Sequence, residues 1–185
     1  MSLLTATQDD LGTGRGRPLP NRAYRGTIET AAEVPAGPGM QLKQRIGNIR
    51  TYSKAVDEDG QSALTLPDGS TYNIGRRKVF SKFWTSHPTP KAQKVGNAYL
   101  SRQAVSAGLM AMPSKGQPSE LNFDSWTDYG QASIGQDVIF VSKQVTRENG
   151  SGQPALDPET QEPIIDVEVA DYIVVSDDTG AGIPF

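Results

Sequence analysis

Apolar and polar side chains in this chain alternate every second residue, in short runs broken by glycine and proline. That period constrains the fold more than any other feature, because it commits each run to one buried and one wet face of a sheet. The most informative run is GRRKVFSKFWTSH, residues 75–87. Arg76, Lys78, Phe80, Lys82 and Trp84 share one face of it, and Arg77, Val79, Ser81 and Phe83 share the other.

Four further runs follow the same rule. Ala23, Arg25 and Thr27 alternate with Tyr24, Gly26 and Ile28 in a strand that ends at the turn VPAGPG. Met40, Leu42, Gln44 and Ile46 then oppose Lys43 and Arg45, with a bulge or bend at Gly47, so the two runs predict a hairpin. QDVIFVSKQV sets Val138 and Phe140 against Ile139, Val141 and Val145. PIIDVEVADYIVV sets Ile165, Val167 and Val169 against Asp166, Glu168 and Ala170, and a long hairpin tip joins these last two runs. LPDGS is a tight turn leading into another strand.

One stretch changes period. PTPKAQKVGNAYLSRQAVSAGLM places Ala92, Val95, Tyr99, Arg102 or Gln103, and Ser106 at helical spacing, with Thr89 to cap it, Pro90 in the first turn and Gly108 to end it. FDSWTDYG holds one short helical turn. About five short antiparallel strands with one inserted helix predict a mainly β protein, an OB-like five-stranded Greek-key barrel with flexible termini. The expected organisation is an N-terminal arm over 1–20, a barrel over 21–175 and a tail over 176–185.

The residues that are missing exclude several chemistries. With no cysteine there is no disulfide framework and no thiolate, and with a single histidine, His87, a zinc site would have to rely mostly on carboxylates, which is not expected. No phosphate-binding loop, nucleophile elbow or His-Glu-x-x-His pair is present, so neither an enzyme, a metal site nor a cofactor is expected. No run reaches the roughly 20 apolar residues of a membrane helix, and the N-terminus has no signal-peptide core. A cytoplasmic protein with no membrane role is the expectation.

Charge is divided unevenly. Residues 1–147 carry all 18 Lys and Arg against 12 Asp and Glu, whereas 148–185 carry nine acids and no base. A basic body with an acidic end suits a nucleic-acid binder, because the end can compete with the polyanion for one surface; a role in solubility explains the asymmetry equally well.

The face bearing Arg76, Lys78, Phe80, Lys82 and Trp84 interleaves three cations with two rings. Single-stranded nucleic acid asks for that combination, with cations along the phosphates and flat rings beneath unpaired bases. The opposing reading puts Phe80 and Trp84 in the core. It would drag their charged neighbours inward at high cost unless a bulge intervened. Lys43, Arg45 and Arg50 extend the basic surface, Tyr72 and Tyr52 are secondary stacking candidates, and Arg15, Arg17 and Arg22 of the arm could reach phosphates. At the other end, Asp177 and Asp178 precede a terminal Ile183-Pro184-Phe185, an acidic stem with an apolar tip suited to a partner's pocket.

That tail resembles the C-terminal tip of bacterial and phage single-stranded-DNA-binding proteins, although here Thr-Gly-Ala-Gly separates the two Asp from Ile-Pro-Phe. The body is similar to the phage-type members of that family. It shares LPNRAYRGTI (Leu19 to Ile28), a Gly-Met-x-Leu strand (Gly39 to Leu42) and a late EVADY strand (Glu168 to Tyr172). The resemblance implies an OB fold that binds single-stranded DNA in replication, recombination and repair. It also implies a tail that docks replication or recombination proteins and competes with DNA. The rival expectations are a virion structural or decoration protein, and an OB-like adaptor that binds only protein. Whether the chain forms a homo-oligomer is left open by the residues.

Overall fold

Alternation becomes a hairpin between Ala23–Ala36 (β1) and Gly39–Thr51 (β2), which pair antiparallel from Tyr24↔Thr51 to Ala36↔Gly39 around a turn at Gly37 and Pro38. The computed structural model describes residues 18–53, 59–114 and 116–175. The arm residues Arg15 and Arg17 and the tail residues Asp177, Asp178, Ile183, Pro184 and Phe185 lie outside the described residues. The bulge expected at Gly47 falls just beyond it. Gly47 pairs with Thr27 and Arg50 with Arg25, so Asn48 and Ile49 together oppose Gly26, and Asn48 takes φ 50°.

Beyond β2 the turn LPDGS closes a small separate hairpin, Ala63–Thr65 (β3) and Thr71–Asn73 (β4). Val79–Ser86 (β5) follows, then helices Pro90–Ser106 (α1) and Trp126–Ser133 (α2), and finally Asp137–Thr146 (β6) and Ile165–Tyr172 (β7). Five strands close into a barrel in the order β1-β2-β5-β7-β6, with β6 returning to β1. Every neighbouring pair is antiparallel except β5 and β7, which run parallel. The helices lie between the third and fourth barrel strands. This is the connectivity of an OB-like barrel. Among the described residues no helix is long and apolar enough to cross a membrane.

Inside the barrel the side chains are layered. On β2 the inward residues are Leu42, Gln44 and Ile46, paired across β5 with Phe83, Ser81 and Val79. Ile46 and Val79 join Tyr24, Ile28, Val138, Phe140 and the plug residues Leu64, Tyr72 and Ile74 in one apolar cluster. Leu42 and Phe83 join Leu100, Ala104 and Tyr129 beneath the helices in a second.

Between the two lies a polar layer. Gln103 of α1 donates to Gln44 Oε1 and accepts from the Tyr129 hydroxyl, Gln44 Nε2 donates to Ser133 Oγ at 3.0 Å, and the Tyr172 hydroxyl donates to Ser81 Oγ at 2.7 Å. Buried polar groups are tolerated only when paired in this way. Burial also pushes the Tyr129 and Tyr172 phenols far above their ordinary pKa, so both stay neutral donors.

The helices differ from expectation in two respects. FDSWTDYG, expected to make one turn, opens the eight-residue α2, whose Ser125 side chain accepts from the Asp128 N–H as an N-cap. On α1 the buried residues are Gly96, Leu100, Gln103 and Ala104; of the expected stripe Ala92, Val95, Tyr99, Arg102 or Gln103, and Ser106, Gln103 is among them, whereas Val95 is 48% exposed. The cause is a close approach. A Cβ at Gly96 would stand 2.3 Å from the Trp84 carbonyl oxygen, so the absent side chain lets α1 settle directly on the β5 backbone. As expected, α1 begins with Pro90 in its first turn and ends before Gly108, at φ 70°.

Glycine in a helix interior normally costs about 1 kcal/mol relative to alanine. Here Gly96→Ala should reverse that sign and destabilise the fold by about 1–3 kcal/mol, because the backbone of β5 cannot yield. Urea unfolding of the two proteins measures the difference, and a stabilised variant would show that the helix does not sit this close.

Candidate nucleic-acid interface

β5 alternates strictly. Val79, Ser81, Phe83 and Thr85 are buried, Phe80 and Lys82 are exposed, and Trp84 is half-buried. The pairing of β2 with β5 then sets three outward rows: Gln41 beside Trp84, Lys43 beside Lys82, and Arg45 beside Phe80. Phe80 also pairs with Glu168 on β7, and Glu168 with Lys143 on β6, so the lowest row crosses four strands. Above it lies an open groove of about 480 Å³, lined by Phe80, Lys43, Arg45, Lys82 and Arg147 with Asp166 and Glu168. The Phe80 ring is 59% exposed on this surface. Leaving a phenylalanine in water forgoes about 1.5–3 kcal/mol of burial, so the exposed ring suits a site that something else covers.

Carboxylates hold most of the cations. Glu29 accepts from Arg45 Nε at 3.1 Å and from Lys78 Nζ. Glu168 takes Lys82 Nζ at 2.6 Å on one oxygen and Lys143 Nζ at 3.7 Å on the other. Asp166 receives both Nε and an Nη of Arg147, at 2.8 and 2.6 Å. Lys43 has no ion-pair partner among the described residues and stands beside Lys82, a like-charge neighbour. With six cations and three carboxylates the surface keeps a positive balance, and the acids fix where each cation head sits.

Two of the sequence-predicted residues stand apart from the groove in ordered structural roles. Tyr72 is 8% exposed, buried in the lower apolar cluster with the Arg77 guanidinium 5.1 Å over its ring. Arg50 donates to Asp137 at 2.6 Å, and Asp137 also accepts from Thr27 at 2.6 Å. Partial burial would raise the Asp137 pKa, but these two hydrogen bonds and the Arg50 charge hold it low. Tyr52 is half-buried beneath Arg25, 5.9 Å from its ring. Arg76 is exposed ahead of β5 and is not among the residues lining the groove. Lys78, bonded to Glu29, is also not among the residues lining the groove, and Trp84 packs against α1 at Gly96 and meets His87 edge-on with ring centres 4.4 Å apart.

Asp166 and Glu168 were expected on one face of β7 but not at this site, and neither were the cations Lys143 and Arg147. Asp166, Glu168 and Asp171 belong to the acidic end by position, yet on β7 they pair with Arg147, Lys82 and Arg102 of the body. The signal was available in the alternation Asp166-Val167-Glu168-Val169, which sets the acids on the wet face of a barrel strand. What it lacked was the neighbour, since nothing local says that β7 lies beside β5.

Among the described residues no three His, Asp or Glu side chains gather as a metal site. In comparison with known proteins, no family model matches the chain and no curated protein matches it.

Hydrogen bonding from Lys78, backed by the charges of Lys78 and Arg45, holds the Glu29 pKa below its usual 4.5. A depressed carboxylate contributes stability above the unfolded-state value and loses it as pH falls through the folded one. Wild type should therefore exceed Glu29→Gln in Tm at pH 6, and the gap should close below pH 4.5. Melting curves across that range test this, and a gap that stays constant would exclude Glu29 as its source.

Proposed function

We propose that this protein binds single-stranded DNA along the β2-β5 face of its barrel, with little sequence preference and without catalysis. The observation that supports the reading is the Phe80 ring standing exposed in an open groove among Lys43, Arg45, Lys82 and Arg147. A base can cover such a ring whatever its identity, because every base has a flat face, while the cations meet phosphates on either side. Double-stranded DNA does not offer its bases in this way. The resemblance of the body and of the Ile183-Pro184-Phe185 tip to phage-type single-stranded-DNA-binding proteins points in the same direction. It adds replication and recombination proteins as partners of the tail, with Asp177 and Asp178 facing basic residues there.

On this reading the paired carboxylates set affinity. Glu168 and Glu29 occupy positions that phosphate oxygens would take, so binding exchanges one anion for another around Lys82, Lys143, Lys78 and Arg45.

Phe80→Ala should weaken poly(dT) binding by about 1–3 kcal/mol, the worth of one stacked base. If about four groove cations meet phosphates, log K against log salt should fall with a slope of about −3. Glu168→Gln should act oppositely and strengthen binding, by up to about fivefold for release of a half-buried ion pair. Anisotropy titrations of labelled poly(dT) at several salt concentrations measure all three. A virion structural protein or a protein-only adaptor predicts no binding at any salt, and that result would end the proposal.

A further inference from the structure

Phe80↔Glu168 is the one backbone pair that joins β5 to β7. Beyond it the two strands diverge under α1 and leave a second cavity of about 210 Å³. Trp84 and Tyr99 wall this cavity, with Val95 of α1 beside them and Gln41, Lys82 and Lys143 supplying polar atoms. It shares Ser81, Lys82 and Glu168 with the main groove, so the two spaces adjoin at the Lys82–Glu168 ion pair.

Both rings are held in place. His87 meets Trp84 edge-on with ring centres 4.4 Å apart, and α1 presses on the Trp84 backbone at Gly96. The Tyr99 hydroxyl donates to the Ala170 carbonyl at 2.8 Å, and the Arg102 guanidinium lies 4.9 Å from the Tyr99 ring. A cavity whose walls are already ordered binds without a large ordering cost. Drug-sized ligands need roughly 300–1,000 Å³, so this smaller space suits a single planar ring system. Its polar edge offers donors from Lys82, Lys143 and the Gln41 amide, and acceptors from Gln41 and Glu168. Unpaired bases present both kinds of group on their edges.

We propose that this cavity takes one unpaired nucleobase, turned out of a strand lying in the main groove and stacked against Trp84. The inference rests on the groove being a single-stranded-DNA site. It adds a place where a base is enclosed rather than merely covered, and therefore a position at which base identity affects affinity.

Trp84 and Trp126 are the only tryptophans, so Trp126→Phe leaves Trp84 as the sole reporter. Oligo(dT) and an abasic chain of equal length are titrated into this variant, with binding followed by anisotropy and the cavity by Trp84 emission. Oligo(dT) should quench Trp84 and the abasic chain, at saturation, should not. Val95→Phe, a change at an exposed helix position, should fill the cavity; it should remove the quenching and weaken oligo(dT) binding about tenfold, leaving abasic affinity unchanged. Should Trp126→Phe fail to fold, the loss of quenching between wild type and Val95→Phe carries the same readout. Tight oligo(dT) binding with unchanged Trp84 emission, equal quenching by the abasic chain, or a Val95→Phe variant that behaves as wild type would each overturn the cavity and leave the groove standing. Failure of both ligands to bind would overturn the groove itself, and the cavity with it.

Discussion

Closure of the barrel through β5 and β7 is the constraint from which the rest of this structure follows. A closed sheet has one inside and one outside, so every barrel strand must spend alternate residues on each. On β5 the inside takes Val79, Ser81, Phe83 and Thr85, which leaves Phe80, Lys82 and Trp84 no place but the outer surface. Closure rests on a single parallel pair, Phe80↔Glu168. That pair also brings an acidic strand beside a basic one, so the contact that completes the barrel assembles the charged surface as well.

Electrostatics and packing are joined at this seam. The inner polar layer of Gln44, Ser81, Gln103, Tyr129, Ser133 and Tyr172 fixes α1, α2, β2, β5 and β7 relative to one another through hydrogen bonds that tolerate little displacement. An apolar layer would fill the same volume with less demand on geometry. Outside, Glu29, Asp166 and Glu168 hold the cation heads at set positions. Both arrangements preorganise the outer face, one through the strands and the other through the side chains. Preorganisation of this kind lowers the ordering cost of any ligand that lands there.

How much could be read in advance varied with the range of the interaction. The hairpin β1-β2, the inward set Leu42, Gln44 and Ile46, and the outward set Phe80 and Lys82 followed from a two-residue period that each strand carries within itself. The face of α1 was placed one step round except at Gln103, because Gly96 looks like a poor core residue until the β5 backbone is beside it. Tyr72 looked like a surface ring because its three-residue strand is too short to show a period, and it plugs the barrel instead.

By itself, then, the order of residues determined the five barrel strands and which side chains of β5 face outward, since those depend on backbone geometry repeating over two residues. Tertiary structure decided which strands are neighbours: that Glu168 reaches Lys82 across 86 positions of sequence, and that Arg50 is bound to Asp137 instead of standing with Lys43. It also decided that Trp84 packs against α1 while Phe80 stays bare. The reason is physical. Alternation is a property of one strand, whereas pairing across a closed barrel is settled by which strands can cover one another's edges and fill one interior.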